Sequence, residues 1–256
     1  MIAPLSLPLL RPDWQAGAGV QGAMSQRSGG ISQGPWGSLN LGGAVGDDAA
    51  SVSENRRRFA AAMGASPVWL RQVHGVNVLH LRSAQPLDES ADAAWTTERG
   101  LACTVQVADC LPVLFAAADG SAVAAAHAGW RGLAAGVLEA TLQALHTGAA
   151  VAPAEVRAWL GPCIGPRQFE VGVDVLLAFG QDPAHPDAQA FVWRPRPDGA
   201  ARWLANLQHL AALRLAAAGV TQVSRAQACT VEDDSSFFSF RRDGVTGRMA
   251  AAVWRI

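Results

Sequence analysis

The chain contains no lysine, so its twenty basic residues are all arginine, and none of them cluster except Arg56-Arg57-Arg58. The formal net charge is −1. Binding along a phosphate backbone needs grouped cations, so nucleic acid is not an expected partner. The three consecutive arginines read as the solvated face of a helix. No stretch reaches about 18 uninterrupted apolar residues, so no membrane span is expected. Residues Met1 to Leu10 are apolar but lack a basic leader and a small-residue cleavage site, which argues against a secretion signal and for a cytoplasmic protein. The four cysteines, Cys103, Cys110, Cys163 and Cys229, include no Cys-x-x-Cys pair. A zinc ribbon is therefore disfavoured, and reduced thiols are expected. There is no tyrosine, no Gly-x-Gly-x-x-Gly, Walker, Gly-x-Ser-x-Gly or His-Glu-x-x-His motif, and no internal repeat.

What is present is half hydrophobic over 256 residues, enough for one large α/β domain. The region to about Gly46 is rich in Gly and Ser and reads as loop with brief strands. A helix capped by Asp47 or Asp48 runs to Met63, with Val52, Phe59 and Met63 on one face and Gly64 and Pro67 stopping it. A strand is expected over Val76 to Leu81. Ser83 to Thr97 reads as polar loop. Leu101, Cys103, Val105 and Val107 alternate along a further strand, in which Cys103 is a core thiol. Val156 to Leu160 reads as another strand, Gln181 to Pro197 as a surface excursion, and Leu204, Leu207 and Leu210 as a helix ended by Gly219. Met249 to Ile256 reads as a closing strand.

The most informative stretch runs from Val107 to Gly132. Two apolar runs flank Asp119-Gly120, a dipeptide suited to the two positive-φ positions of a type I′ hairpin turn. Counting back from that turn sets Pro112 opposite His127. Cys110 then becomes a diagonal neighbour of His127, with Cβ atoms roughly 5.5–8 Å apart. After the hairpin, Leu133, Val137, Leu138, Thr141, Leu142 and Leu145 mark an amphipathic helix ended by Gly148. His127 thus stands where a strand meets a helix start, a place that favours anions, and Arg131 adds a guanidinium there.

His74, Cys110 and His127 each lie beside a predicted strand and Gly or Pro punctuation. Two imidazoles and a thiolate are good zinc ligands, and a fourth position left to water marks a catalytic site. The hairpin count links Cys110 to His127 and says nothing of His74. Asp109 is read either as an acceptor that orients a ligand or as a turn cap. His80, His146, His185 and His209 receive no role.

These residues carry a resemblance. Asn40 in Ser38-Leu39-Asn40-Leu41-Gly42, Gln72-Val73-His74-Gly75, Ala108-Asp109-Cys110-Leu111-Pro112, Ala126-His127-Ala128-Gly129-Trp130-Arg131-Gly132, Gly161-Pro162 with Ile164-Gly165, and Phe238-Ser239-Phe240-Arg241-Arg242-Asp243 resemble the bacterial laccase-domain family. That family is also called the peptidoglycan editing factor or purine nucleoside phosphorylase family, and formerly multicopper polyphenol oxidase. The resemblance implies a single α/β domain over residues 1–256. Its mixed β-sheets would be sandwiched between helices (α/β/β/α), akin to a cysteine-hydrolase-like toxin fold. It also implies zinc held by His74, Cys110 and His127. The implied chemistry is phosphorolysis of adenosine, inosine and methylthioadenosine and deamination of adenosine, with Asn40, Arg131 and Arg242 contacting nucleoside or phosphate. Phe169 and Phe240 stand where the motif often has tyrosine, so no role needing a phenol carries over. The alternative is a cysteine hydrolase or amidase editing peptidoglycan precursors, with Cys110 as nucleophile and His127 as base. A third reading is a binding module whose metal is structural. A trinuclear copper centre needs many histidines, usually in His-x-His pairs; six histidines and no such pair fit one zinc site better, although copper could compete for it.

Overall fold

A computed structural model describes residues 7–83 and 89–256. In chain order it contains β1 (Leu9–Leu10), β2 (Val20–Ser25), α1 (Ala49–Met63), β3 (Ser66–Trp69), β4 (Val78–His80), β5 (Ala93–Thr96), β6 (Leu101–Val107), β7 (Leu111–Ala117), β8 (Val123–Ala128) and α2 (Trp130–Ala135). There follow α3 (Val137–Ala149), β9 (Val156–Leu160), β10 (Glu170–Val171), α4 (Val173–Ala178), β11 (Phe191–Trp193), β12 (Trp203–Ala205), α5 (Leu207–Ala217), β13 (Gln222–Arg225), α6 (Phe240–Asp243) and β14 (Met249–Arg255). The strands form a five-stranded sheet, β1-β2-β14-β6-β3, a six-stranded sheet, β13-β9-β7-β8-β5-β4, and a small sheet, β10-β12-β11. Among the described residues no helix is long and apolar enough to cross a membrane.

Period-two alternation sets the layers. In β6 and β14, Cys103, Val105, Ala251 and Val253 face one way and meet Leu114, Ala116, Val123 and Ala125 of β7 and β8. That cluster is the seam between the two large sheets. Ala102, Ala252 and Trp254 face the other way and are covered by Phe59 and Met63 of α1. Val113, Phe115, Ala124 and Ala126 point away from the seam toward Leu138, Leu142 and Leu145 of α3 and Leu210 and Leu215 of α5. The result is the helix–sheet–sheet–helix α/β sandwich expected. Val52, Phe59 and Met63 are buried on α1 as anticipated, with Asp48 capping the helix and a left-handed Gly64 ending it.

Several elements differ from the sequence reading. The hairpin register holds, with Pro112 opposite His127. Its turn is not type I′, because Gly120 alone is left-handed at φ 75° while Asp119 keeps a negative φ. The Gly120 N–H closes instead on the Ala117 carbonyl. Within the stretch read as polar loop, Ala93–Thr96 is a fully buried strand inside the six-stranded sheet; residues 84–88 of that stretch lie outside the described residues. Four residues are too few for an alternation signal to stand out. The expected strand Val76 to Leu81 shortens to β4. The helix expected after the hairpin is two helices, broken at Gly136 with φ 103°. Gly148 lies inside α3, where a Cβ would come 2.2 Å from Trp95 Cζ2. The Pro- and Asp-rich excursion contains β11, and Leu204 belongs to β12, so α5 begins only at Leu207 behind its Asn206 cap.

Candidate metal centre

β8 carries His127 at its C-terminal end with the side chain on the seam face, since Ala126 and Ala128 point to the helical side. Pro112 of β7 flanks it on one side. On the other, the residue preceding β5 is Asp92, whose carbonyl accepts the His127 N–H at 2.7 Å. Cys110 stands between β6 and β7, immediately after Asp109, which adopts φ 92°. His74 lies in the loop joining β3 to β4 at φ 61°. Two non-glycine residues in the left-handed region beside one site hold strain that surrounding bonds must fix.

Those bonds are present. The Asp92 carboxylate accepts N–H bonds from Val73 (3.1 Å), His74 (2.9 Å) and Gly75 (2.7 Å), and also the His127 Nδ1–H at 2.8 Å. One fully buried side chain therefore sets both the His74 loop and the His127 ring. With Nδ1–H committed to Asp92, the neutral form of His127 carries its lone pair on Nε2. Asp109 accepts the hydroxyls of Thr230 (2.6 Å) and Ser239 (3.0 Å) and the Arg241 N–H (2.6 Å), while its carbonyl accepts the Ile164 N–H. It is a clamp that ties the Cys110 corner to the C-terminal segment, and it does not orient a ligand.

His74, Cys110 and His127 come together. One ligand atom from each lies within 4.8 Å of the others, with Cys110 Sγ 3.7 Å from His74 Nε2. Ligands of a tetrahedral zinc, at about 2.0–2.3 Å from the ion, lie about 3.3–3.8 Å from each other, so a small contraction suffices. Gly129 supports the same reading, because a Cβ there would fall 2.8 Å from His74 Cδ2 and 3.1 Å from Cys110 Sγ and fill the cradle. Burial alone would raise the Cys110 thiol, yet the adjoining His127 and His74 rings bring it down to about 6. Burial likewise opposes charge on His127, but Cys110 and Asp92 hold it protonated up to about 9. Without a metal, the cysteine and His127 form a thiolate–imidazolium pair. All four cysteines are free, and Cys103 is an inert core thiol as expected.

The centre opens into a cavity of about 790 Å³ walled by Arg56, Trp69, Gln72, Gln106, Phe240 and Arg248, among others. The remaining sequence candidates lie elsewhere. Arg131 is exposed and lies over its neighbour Trp130 (4.3 Å), outside the cavity wall. Arg242 is spent on Asp243 and on the carbonyls of Thr230, Val231 and Phe237. Asn40 is fully buried and holds the Gly42 and Arg248 N–H groups. Of the arginine trio, Arg57 and Arg58 pair with Glu54 as a solvated face should, but Arg56 turns to the cavity. Sequence reasoning missed Asp92, Arg56 and Arg248. The only signal for Asp92 was a carboxylate directly ahead of Ala93-Ala94-Trp95.

Residues 21–256 match the family model described as multi-copper polyphenol oxidoreductase laccase. The chain belongs to this family. Within it, a purine nucleoside phosphorylase of Pseudomonas aeruginosa is 50% identical over 246 residues, covering 96% of this chain and 97% of that protein. The purine nucleoside phosphorylase YfiH of Escherichia coli is 46% identical over 250 residues, 97% and 99% of the two chains. Among solved structures, a Neisseria meningitidis protein superposes with a TM-score of 0.88 at 44% identity, covering 96% and 98%. YlmD of Geobacillus stearothermophilus gives 0.82 at 34% identity, covering 93% and 92%. Although the laccase-family description speaks of several coppers, only one group of three or more His, Cys, Asp or Glu side chains close enough to share an ion is found among the described residues.

Proposed function

We propose that the protein is a zinc-dependent purine nucleoside enzyme, cleaving the glycosidic bond of adenosine, inosine or methylthioadenosine with phosphate and deaminating adenosine. The observation that carries this reading is the His74–Cys110–His127 group at the edge of a large cavity, in a chain whose relatives are named purine nucleoside phosphorylases. Zinc, once held by those three side chains, supplies a Lewis acid that lowers the pKa of water to about 7 and polarises a substrate oxygen. The chain's own residues do the rest. Asp92 fixes the His127 tautomer and the His74 loop, and Gly129 keeps the approach clear. The exposed Phe240 ring offers an aromatic face on which a purine stacks. Three ligands and no further cluster among the described residues suit one zinc and not oxidase chemistry. The test is a panel of adenosine, inosine and methylthioadenosine, incubated with zinc-loaded and chelated protein, with and without phosphate. Free base with pentose 1-phosphate, and inosine from adenosine, are expected only from the loaded protein. No turnover of any nucleoside overturns the proposal.

The Cys110–His127 ion pair favours a second reading, a cysteine amidase acting on peptidoglycan precursors that carry a wrong amino acid. Iodoacetamide separates the two. A nucleophile is alkylated at once in the protein as purified, whereas a zinc-bound sulfur is protected until a chelator is added.

A further inference from the structure

Among the described residues lining the cavity there is no aspartate or glutamate, while Arg56, Arg71 and Arg248 are all present. Two of these, Arg56 and Arg248, have no carboxylate within ion-pair distance among the described residues, although both are half-buried. Arg56 lays its guanidinium over the Trp69 ring at 4.2 Å and gives Nε–H to the Leu41 carbonyl. Arg248 gives one terminal nitrogen to the carbonyls of Thr246 and Gly247 and sits 5.9 Å from the Phe240 ring. Among the described residues, both terminal nitrogens of Arg56, and Nε and the second terminal nitrogen of Arg248, have no hydrogen-bond partner and are left for a ligand. Burial draws both guanidiniums below the ordinary arginine range, with Cys110 and Asp109 acting the other way at Arg248. A half-buried cation with no carboxylate in direct ion-pair contact gains from an anion that arrives beside it.

The two arginines flank one loop. A Cβ on Gly42 would come 2.7 Å from Arg248 Cγ, and one on Gly43 would come 3.2 Å from a terminal nitrogen of Arg56. Gly42 lets Arg248 close on this turn, and Gly43 leaves room for the Arg56 guanidinium. Asn40 organises it, its Oδ1 accepting the N–H groups of Gly42 and Arg248 at 2.9 Å each. Its amide in turn donates to Asp47, a carboxylate already taken up by Ser32 and the Asp48 N–H. Planar guanidiniums bind tetrahedral oxyanions through paired N–H bonds.

We propose that Arg56 and Arg248, set around Gly42–Gly43 by Asn40, form an oxyanion subsite of the cavity that binds inorganic phosphate. The proposal deepens the nucleoside phosphorylase reading and rests on it for the role of the anion, but the binding itself is measured separately. Titration calorimetry of zinc-loaded protein with inorganic phosphate is expected to show one site. Arg56→Ala and Arg248→Ala should each weaken it by about 10- to 100-fold. Arg248→Lys should recover part of the loss, and Arg57→Ala on the same helix should change nothing. Zinc content and Tm of each variant establish that fold and metal centre persist. Phosphate affinity unchanged in both alanine variants, or no phosphate binding by the parent protein, overturns the subsite. Turnover assays then separate the two claims. Weakened phosphate binding without any nucleoside turnover sinks the reaction and leaves the subsite standing. Phosphorolysis whose KM for phosphate is unmoved by the substitutions sinks the subsite and leaves the reaction. Adenosine 5′-monophosphate is the second ligand; if it displaces phosphate far more tightly than adenosine and phosphate bind together, the arginines serve a phosphate carried by the substrate, and the free-phosphate assignment falls.

Discussion

Asp92 receives four hydrogen bonds from two separate parts of the centre, so its loss affects both candidate histidine ligands at once. An asparagine there keeps the shape but offers only one acceptor oxygen, and its amide nitrogen would face N–H groups that have nothing to accept. Groups that support a metal ligand in this way typically change affinity by about 10- to 100-fold when removed. Asp92→Asn is therefore expected to weaken zinc binding by that factor in a competition assay with a chromogenic chelator. A pH profile gives an independent reading. In metal-free parent protein the alkylation rate of Cys110 should rise with the thiolate fraction through a midpoint of about 6 and then level off. Asp92 helps hold His127 protonated. Removing its charge lowers that proton's affinity, takes a positive charge from beside the thiolate, and moves the midpoint upward. An unmoved midpoint together with unchanged zinc affinity would reduce Asp92 to a loop brace.

At the scale of elements, α3 shows how packing overrules propensity. Gly148 in a helix costs about 1 kcal/mol relative to alanine, so helix propensity alone says that Gly148→Ala stabilises. In the fold, Trp95 of β5 lies against that glycine, with His80 of β4 stacked on the ring at 3.8 Å. The ring has little room to retreat, and overpacking costs about 1–3 kcal/mol. Gly148→Ala is expected to lower Tm by a few degrees in a thermal melt; a rise would mean that α3 shifts freely on the sheet. The alanine run of β8 reflects the same crowding, since Ala124, Ala125 and Ala126 are fully buried between the seam and α3.

At the scale of the whole molecule, the described apolar side chains pack into three clusters, and none of them depends on an ion. Asp92 holds the His74 loop and the His127 ring, and Asp109 ties down the corner next to Cys110, through hydrogen bonds that need no metal. Chelation is therefore expected to leave a protein that still unfolds cooperatively, at a lower Tm. Zinc at about a thousand times its Kd restores about 4 kcal/mol, about 10 °C in a chain of this size. A structural zinc would instead unfold the chain when withdrawn, and calorimetry with and without chelator distinguishes the two.

Local chemistry makes much of this legible in the amino-acid order. The Asp48 cap and Gly64 stop delimit α1, alternation marks β6, and the Asp119-Gly120 count brings Cys110 to His127. A hairpin is a contact between near neighbours in sequence, so its register is written in the chain. His74 is a candidate by its place beside a strand, but only the resemblance joins it to the pair, because 36 residues separate it from Cys110 and no local periodicity spans that gap. Asp92, Arg56 and Arg248 are invisible for the same reason. A carboxylate before a short buried strand, one arginine in a run of three and another near the C-terminus look like ordinary surface charges. They become partners of one site when β14 enters the middle of its sheet between β2 and β6 and α1 closes over that sheet's outer face. The sequence alone determined which segments are helix or strand wherever caps and alternation are strong, and one pair of the candidate metal ligands. Tertiary structure decided which charges leave water and what faces them, because burial and the meeting of distant strands belong to the folded chain and to no segment of it.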